Sequence, residues 1–170
     1  MVESVPSPRR VAILTSFSSC DEAYSLNRVV QEQIKMFTRN GYSPVVIVAE
    51  PFQAPENSPY SKVELRRIPI VPVHNEVKKD ESFDVDVSSL ERSLEEILKD
   101  IDVVITHDII YQNAALKHNF AIRKIAAKYP KLQWLHWIHS ATSPVTLANL
   151  RPYFSDEYLE LVRLPFPNSY

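Results

Sequence analysis

Short blocks of consecutive apolar residues alternate along this chain with longer stretches in which apolar residues recur every three to four positions. The blocks lie at 10–15, 45–49, 103–106 and 132–138, and residues 62–68 alternate as a strand nearer an edge would. Unbroken apolar runs of this length suit strands buried on both faces. Between the blocks, Leu26, Val29, Val30, Ile34 and Phe37 share one stripe and predict a helix over about 22–40. Gly41 follows at the position where freedom at positive φ ends a helix. Ser88 and Glu91 fit a capping box, leading into a second amphipathic stretch with Leu90, Leu94, Ile97, Leu98 and Ile101. A third helix is expected over about 110–128, stopped by Pro130.

Strands alternating with helices at this spacing predict an α/β fold: a Rossmann-like, doubly wound parallel sheet of about five strands in the order 3-2-1-4-5, with helices on both faces. Right-handed crossovers return every strand to the same side, so the strand ends share one rim. Two of the blocks run into histidines at that rim, Thr106-His107-Asp108 and Trp137-Ile138-His139-Ser140. In open α/β sheets that rim is where ligands bind, and the switch point here falls between strands 1 and 4. Residues 50–60 and 69–86 read as irregular loops, and prolines interrupt the chain beyond Ser140, with a short helix near 156–163. The whole chain, 1–170, reads as one domain whose last part, 141–170, is an irregular connector toward a further strand.

Composition removes alternatives. With only Gly41, where about 12 glycines would be average, no multi-glycine phosphate loop can be written, which argues against dinucleotide oxidoreductases and P-loop NTPases. One cysteine, Cys20, excludes an internal disulfide and a Cys-rich metal or iron–sulfur site. A net charge of −2 supplies no excess positive potential for nucleic acid or an anionic membrane. No apolar run approaches a membrane span, and residues 1–8 lack the pattern of a secretory signal, so a cytoplasmic location is expected.

The candidate chemistry collects in three rim loops: 16–21, His107-Asp108, and 139–143. Ser16, Ser18 and Ser19 offer hydroxyls before a helix N-terminus, although serine and aspartate there are also ordinary caps. His107 with Asp108 suits proton transfer or hydroxyl binding, and Asp108 equally suits a cap on the next helix. Strand alternation places His139 with Leu135 and Trp137, and His136 on the opposite face with Trp134. His74 and His118 read as solvated or structural. His136-x-x-His139 is not a metal pair, because residues three apart on a strand face opposite ways, and no metal is expected.

The order and spacing of Arg10-Val-Ala-Ile-Leu-Thr, Phe37-Thr-Arg-Asn-Gly-Tyr-Ser-Pro-Val-Val-Ile-Val, Asp102-Val-Val-Ile-Thr-His-Asp and Trp137-Ile-His-Ser resemble the N-terminal, acceptor-side domain of GT-B-fold retaining glycosyltransferases, the family 4-like group. The resemblance covers about residues 9–140. It implies transfer of a sugar from a nucleotide-sugar co-substrate to a hydroxyl acceptor, with no further cofactor and no obligatory metal. It implies that His139 is catalytic and faces the transferred sugar, that His107 and Asp108 bind the acceptor, and that Ser18, Ser19 and Asp21 lie near the donor phosphate. The family's first loop is glycine-rich, and Ser18-Ser19-Cys20-Asp21 stands in its place here. Most donor contacts of that family belong to a C-terminal domain carrying Glu-x7-Glu, which this sequence lacks, so the chain alone is expected to be inactive. The alternative is a non-catalytic Rossmann-like module that binds a small ligand or a protein. A phosphoacceptor receiver domain fits less well, having no acidic cluster at Ser16 and no lysine at Ser140.

Overall fold

The computed structural model describes residues 9–21, 23–73, 79–110, 112–139, 160–161 and 163–169. His74, Ser140 and the connector from there to residue 159 lie outside the described residues. Eight elements follow in order: β1 (Val11–Leu14), α1 (Ser25–Arg39), β2 (Val45–Ala49), β3 (Glu64–Ile68), α2 (Phe83–Ile97), β4 (Val103–His107), α3 (Leu116–Lys128) and β5 (Gln133–Trp137). Every pairing between strands is parallel, and the order is β3-β2-β1-β4-β5. The expected α/β sheet, with its switch point between β1 and β4, is the one observed.

The central strands β1, β2 and β4 are buried along their whole length, as their unbroken apolar runs require. On one face, Ala12, Leu14, Val45, Ile47, Val104 and Trp134 pack against α2 and α3. On the other, Ile13, Val46 and Val48 pack against Leu26, Val30 and Ile34 of α1. Helices therefore lie on both faces. Only α1 among the described helices covers the second face, and Leu135 and Trp137 of β5 stay exposed there.

The end of α1 is set by Gly41 at φ 79°. Its amide donates to the Thr38 carbonyl at 3.1 Å, and the next amide, of Tyr42, donates to Phe37 at 3.0 Å. That pair of bonds satisfies carbonyls the helix would leave open, and the Phe37 and Tyr42 rings close over them, 6.0 Å between centroids.

Two helix starts differ from the sequence expectation. The α2 helix begins at Phe83, so Ser88 is not its cap: the Ser88 hydroxyl donates within the helix to the Asp84 carbonyl at 2.7 Å. Phe83 and Val87 extend the stripe of Leu90 and Leu94, and Asp84 and Asp86 supply negative charge to the first turn. The α3 helix starts at Leu116 after a 3₁₀ turn, Asn113–Ala115, rather than near residue 110. Within the irregular segment 50–60, Phe52 and Tyr60 are fully buried edge-to-face at 5.0 Å in the α1 side of the core.

Near the C-terminus, Glu160, Leu161 and Arg163 are helical, and the chain then docks beside β5. Arg123 donates to the Leu164 and Pro165 carbonyls at 3.1 and 3.2 Å, and Asn168 donates to Ala126 at 2.8 Å. Ser169 forms a parallel bridge to Trp134, the entry to a sixth strand position.

Candidate functional site

The β4 strand carries His107 as its last residue, in register with Trp137 of β5, so the two side chains stand on the same face. That is the face of α1, whose Gln33 reaches the end of β4. The Gln33 Oε1 lies 2.8 Å from His107 Nε2, and His107 Nδ1 lies 3.0 Å from Nε2 of His139. An amide oxygen only accepts, so His107 Nε2 carries the proton and a neutral His107 accepts at Nδ1. His139 must then donate from Nε2, and in the neutral form of its ring the lone pair falls on Nδ1. The rings of His107, Trp137 and His139 are nearly parallel, within 15° of one another.

Asp108 completes the arrangement from the backbone side. It sits at φ 55°, an uncommon conformation for a residue with a side chain, and its Oδ1 accepts from the His139 amide at 2.5 Å. Its own amide donates to the Trp137 carbonyl at 2.9 Å. The carboxylate therefore fastens the end of β4 to the loop after β5 and does not cap α3, whose N-cap is Ala115. His107 is buried, which together with the nearby His139 lowers its pKa to about 4 against the opposing pull of Asp108. It is neutral at physiological pH, while His139 beside it is exposed.

A cleft of about 570 Å³ opens next to this pair, between the loop after β1 and the start of α3. Ser18, Ser19, Asp21, His107 and Asp108 all line it, so the structure brings five of the six sequence-selected residues to one cavity. His139 is not part of that lining. It joins the group through its hydrogen bond to His107.

His136 points to the opposite face, as alternation requires. Its Nδ1 lies 2.7 Å from the Thr106 hydroxyl, its ring packs against Phe166 at 4.2 Å, and its Nε2 is buried without a partner. Burial first, and Arg123 second, lower its pKa to about 4.

Beside the residues singled out from the sequence, the structure places Gln33 and His118 at this rim. Gln33 is one of several polar residues on an amphipathic helix, and only the tertiary fold reveals its partner, 74 positions away. His118 lies on α3 and also lines the cleft. Among the described residues no group of three His, Cys, Asp or Glu side chains could hold a metal ion. No helix of the described chain is long and apolar enough to cross a membrane.

No protein-family model matches the sequence, and no curated protein matches it. Among solved structures the chain is similar to MurG of Acinetobacter baumannii, at 12% identity and a TM-score of 0.46. The similar region covers 86% of this chain and 40% of that one, so this chain spans less than half the length of its structural neighbour.

Proposed function

We propose that this chain is the acceptor-side half of a GT-B glycosyltransferase that moves a sugar from a nucleotide-sugar to a hydroxyl. The observation that carries the reading is the Gln33–His107–His139 hydrogen-bond chain at the carboxyl rim, pinned by Asp108 and opening beside a hydroxyl-lined cleft. The sequence motifs resembling the family 4-like retaining enzymes supply the reaction class. In that reaction the bond from the anomeric carbon to the donor's diphosphate oxygen breaks, a bond to the acceptor oxygen forms, and the acceptor hydroxyl's proton passes to the departing diphosphate.

In this reading His139 presents a lone pair to a hydroxyl of the transferred sugar, and His107 fixes which nitrogen does so. Asp108 and the edge of His107 face the acceptor. Ser18, Ser19 and Asp21 border the space between acceptor and donor phosphate. A diphosphate favours cations, and no lysine or arginine is among the described lining residues, in keeping with a donor site carried by a second domain.

The test is sugar transfer by the longest native protein that contains this sequence, assayed across a panel of labelled nucleotide-sugars. His139→Ala is expected to lower kcat by about 100-fold or more with little change in donor KM, as for loss of a contact strengthened in the transition state. Unchanged turnover would remove His139 from its role. No transfer from any donor would remove the glycosyltransferase reading.

A further inference from the structure

His118 is nine-tenths buried, at 9% exposure, and lines the cleft, yet its imidazole makes no hydrogen bond to any described residue. Its ring nitrogens stay within reach of solvent, as those of a group open to the cleft would. Burial lowers its pKa to about 4, so at neutral pH the ring is uncharged and offers one donor and one acceptor. A hydroxyl can serve either nitrogen. A phosphate, which chiefly accepts, leaves the acceptor nitrogen unserved.

The rest of the lining points the same way. Asp21 and Asp108 contribute two carboxylates, and no lysine or arginine is among the described lining residues. These carboxylates disfavour an anionic ligand, and no cationic side chain among the described lining residues favours one. The hydroxyls of Ser16, Ser18 and Ser19 make no hydrogen bond to other described residues and remain open to a ligand. The wall formed by the chain after β3 is different in kind: Ile70 and Val73 are each 59% exposed against the same cleft, and Tyr24 stands 49% exposed at its edge. Large apolar side chains grouped at a concave site favour an apolar ligand surface.

We propose that this cleft binds an uncharged, hydroxyl-bearing head carried on an apolar stem, with His118 hydrogen-bonding the head and Ile70 and Val73 flanking the stem. The proposal rests on the acceptor-side reading above and gives its acceptor a chemical class, a neutral amphiphile.

Histidine-resolved NMR of the whole chain tests it, with n-octyl β-D-glucopyranoside below its micelle concentration, methyl β-D-glucopyranoside and glucose 1-phosphate as probes. The octyl glucoside is expected to shift the His118 ring signals saturably, with at least tenfold tighter binding than the methyl glucoside and weaker binding still for the phosphate. His118→Leu should weaken octyl glucoside binding about tenfold, and His118→Gln, which keeps a donor and an acceptor, should retain most of it. Equal binding by His118→Leu, equal affinity for the two glucosides, or tightest binding of the phosphate would each overturn the proposal. Should both variants fail to fold, the signals of the unmodified chain decide it, because the absence of a saturable His118 shift also overturns it. Failure is separable from that of the parent reading. Shifts at His107 and His139 without His118 defeat this inference alone. Shifts at His118 without the rim pair leave the binding inference standing and defeat the rim assignment, and no shift at any of the three histidines defeats both.

Discussion

Gln33 decides what His139 can do, because its oxygen fixes the proton on His107 Nε2 and thereby the direction of both hydrogen bonds in the chain. Replacing it by leucine should leave His107 free to exchange tautomers, and nitrogen-resolved NMR at alkaline pH, where imidazoles are neutral, should then show the His139 proton shared between its two nitrogens instead of held on Nε2. Gln33→Glu should do the opposite to His107, placing a carboxylate against Nε2 and raising its pKa from about 4 by at least about 1 unit. An NMR pH titration that finds the His107 midpoint unmoved would contradict the 2.8 Å contact. The buried histidines also set an acid sensitivity. His107, His118 and His136 each have a pKa lowered to about 4, so between about 4 and their ordinary 6.5 the unfolded chain binds more protons than the folded one. Stability is therefore full above pH 6.5 and falls as the pH drops toward 4, by up to about 1.4 kcal/mol per pH unit for each group. Urea unfolding at pH 7 and pH 5 should show this loss, and His136→Leu should reduce the slope. Of these residues the sequence pattern singles out His107 and His139, because a histidine ending an apolar block has a predictable place. It cannot single out Gln33 or His118, whose places at the rim exist only after α1 and α3 have docked.

Helix ends show why some elements are readable and others are not. Gly41 is recognisable in the sequence because one residue type relieves the strain of a positive φ, and nothing lies within 4 Å of where a Cβ would be. Gly41→Ala should therefore cost about 1 kcal/mol through backbone strain alone, measured by chemical denaturation. The start of α2 is harder. Ser88 and Glu91 imitate a capping box inside the helix, while the actual first turn is held from outside by Lys117, which is 1% exposed and reaches Asp86 at 2.7 Å and Asp80 at 3.0 Å. No local pattern announces a lysine 31 positions away. Removing one partner should be worse from the acidic side: Asp86→Ala leaves a buried ammonium with less to face, at about 2–3 kcal/mol, whereas Lys117→Met leaves carboxylates that water can reach, at about 1 kcal/mol. Equal costs in denaturant melts would contradict the burial of the ammonium.

At the scale of the whole molecule, the strand order was legible because four apolar blocks separated by amphipathic stretches admit few right-handed arrangements. The packing of residues 50–60 was not, since Phe52 and Tyr60 lie among prolines and polar residues with no periodicity to mark them as core. The functional surface follows from the same topology. Parallel crossovers bring the ends of β1, β4 and β5 to one rim, where the relay, Asp108 and the cleft meet without a lysine or arginine among the described lining residues. The central claim is that this rim belongs to the acceptor side of a sugar-transfer site and that the diphosphate is held elsewhere. Comparing the His139 and His107 imidazole signals during NMR titrations with methyl β-D-glucopyranoside and with uridine diphosphate tests it most directly. Saturable shifts of both histidines with the neutral glycoside and at least tenfold weaker binding of the nucleotide are expected; tighter binding of the nucleotide at these two residues would contradict an acceptor-side rim.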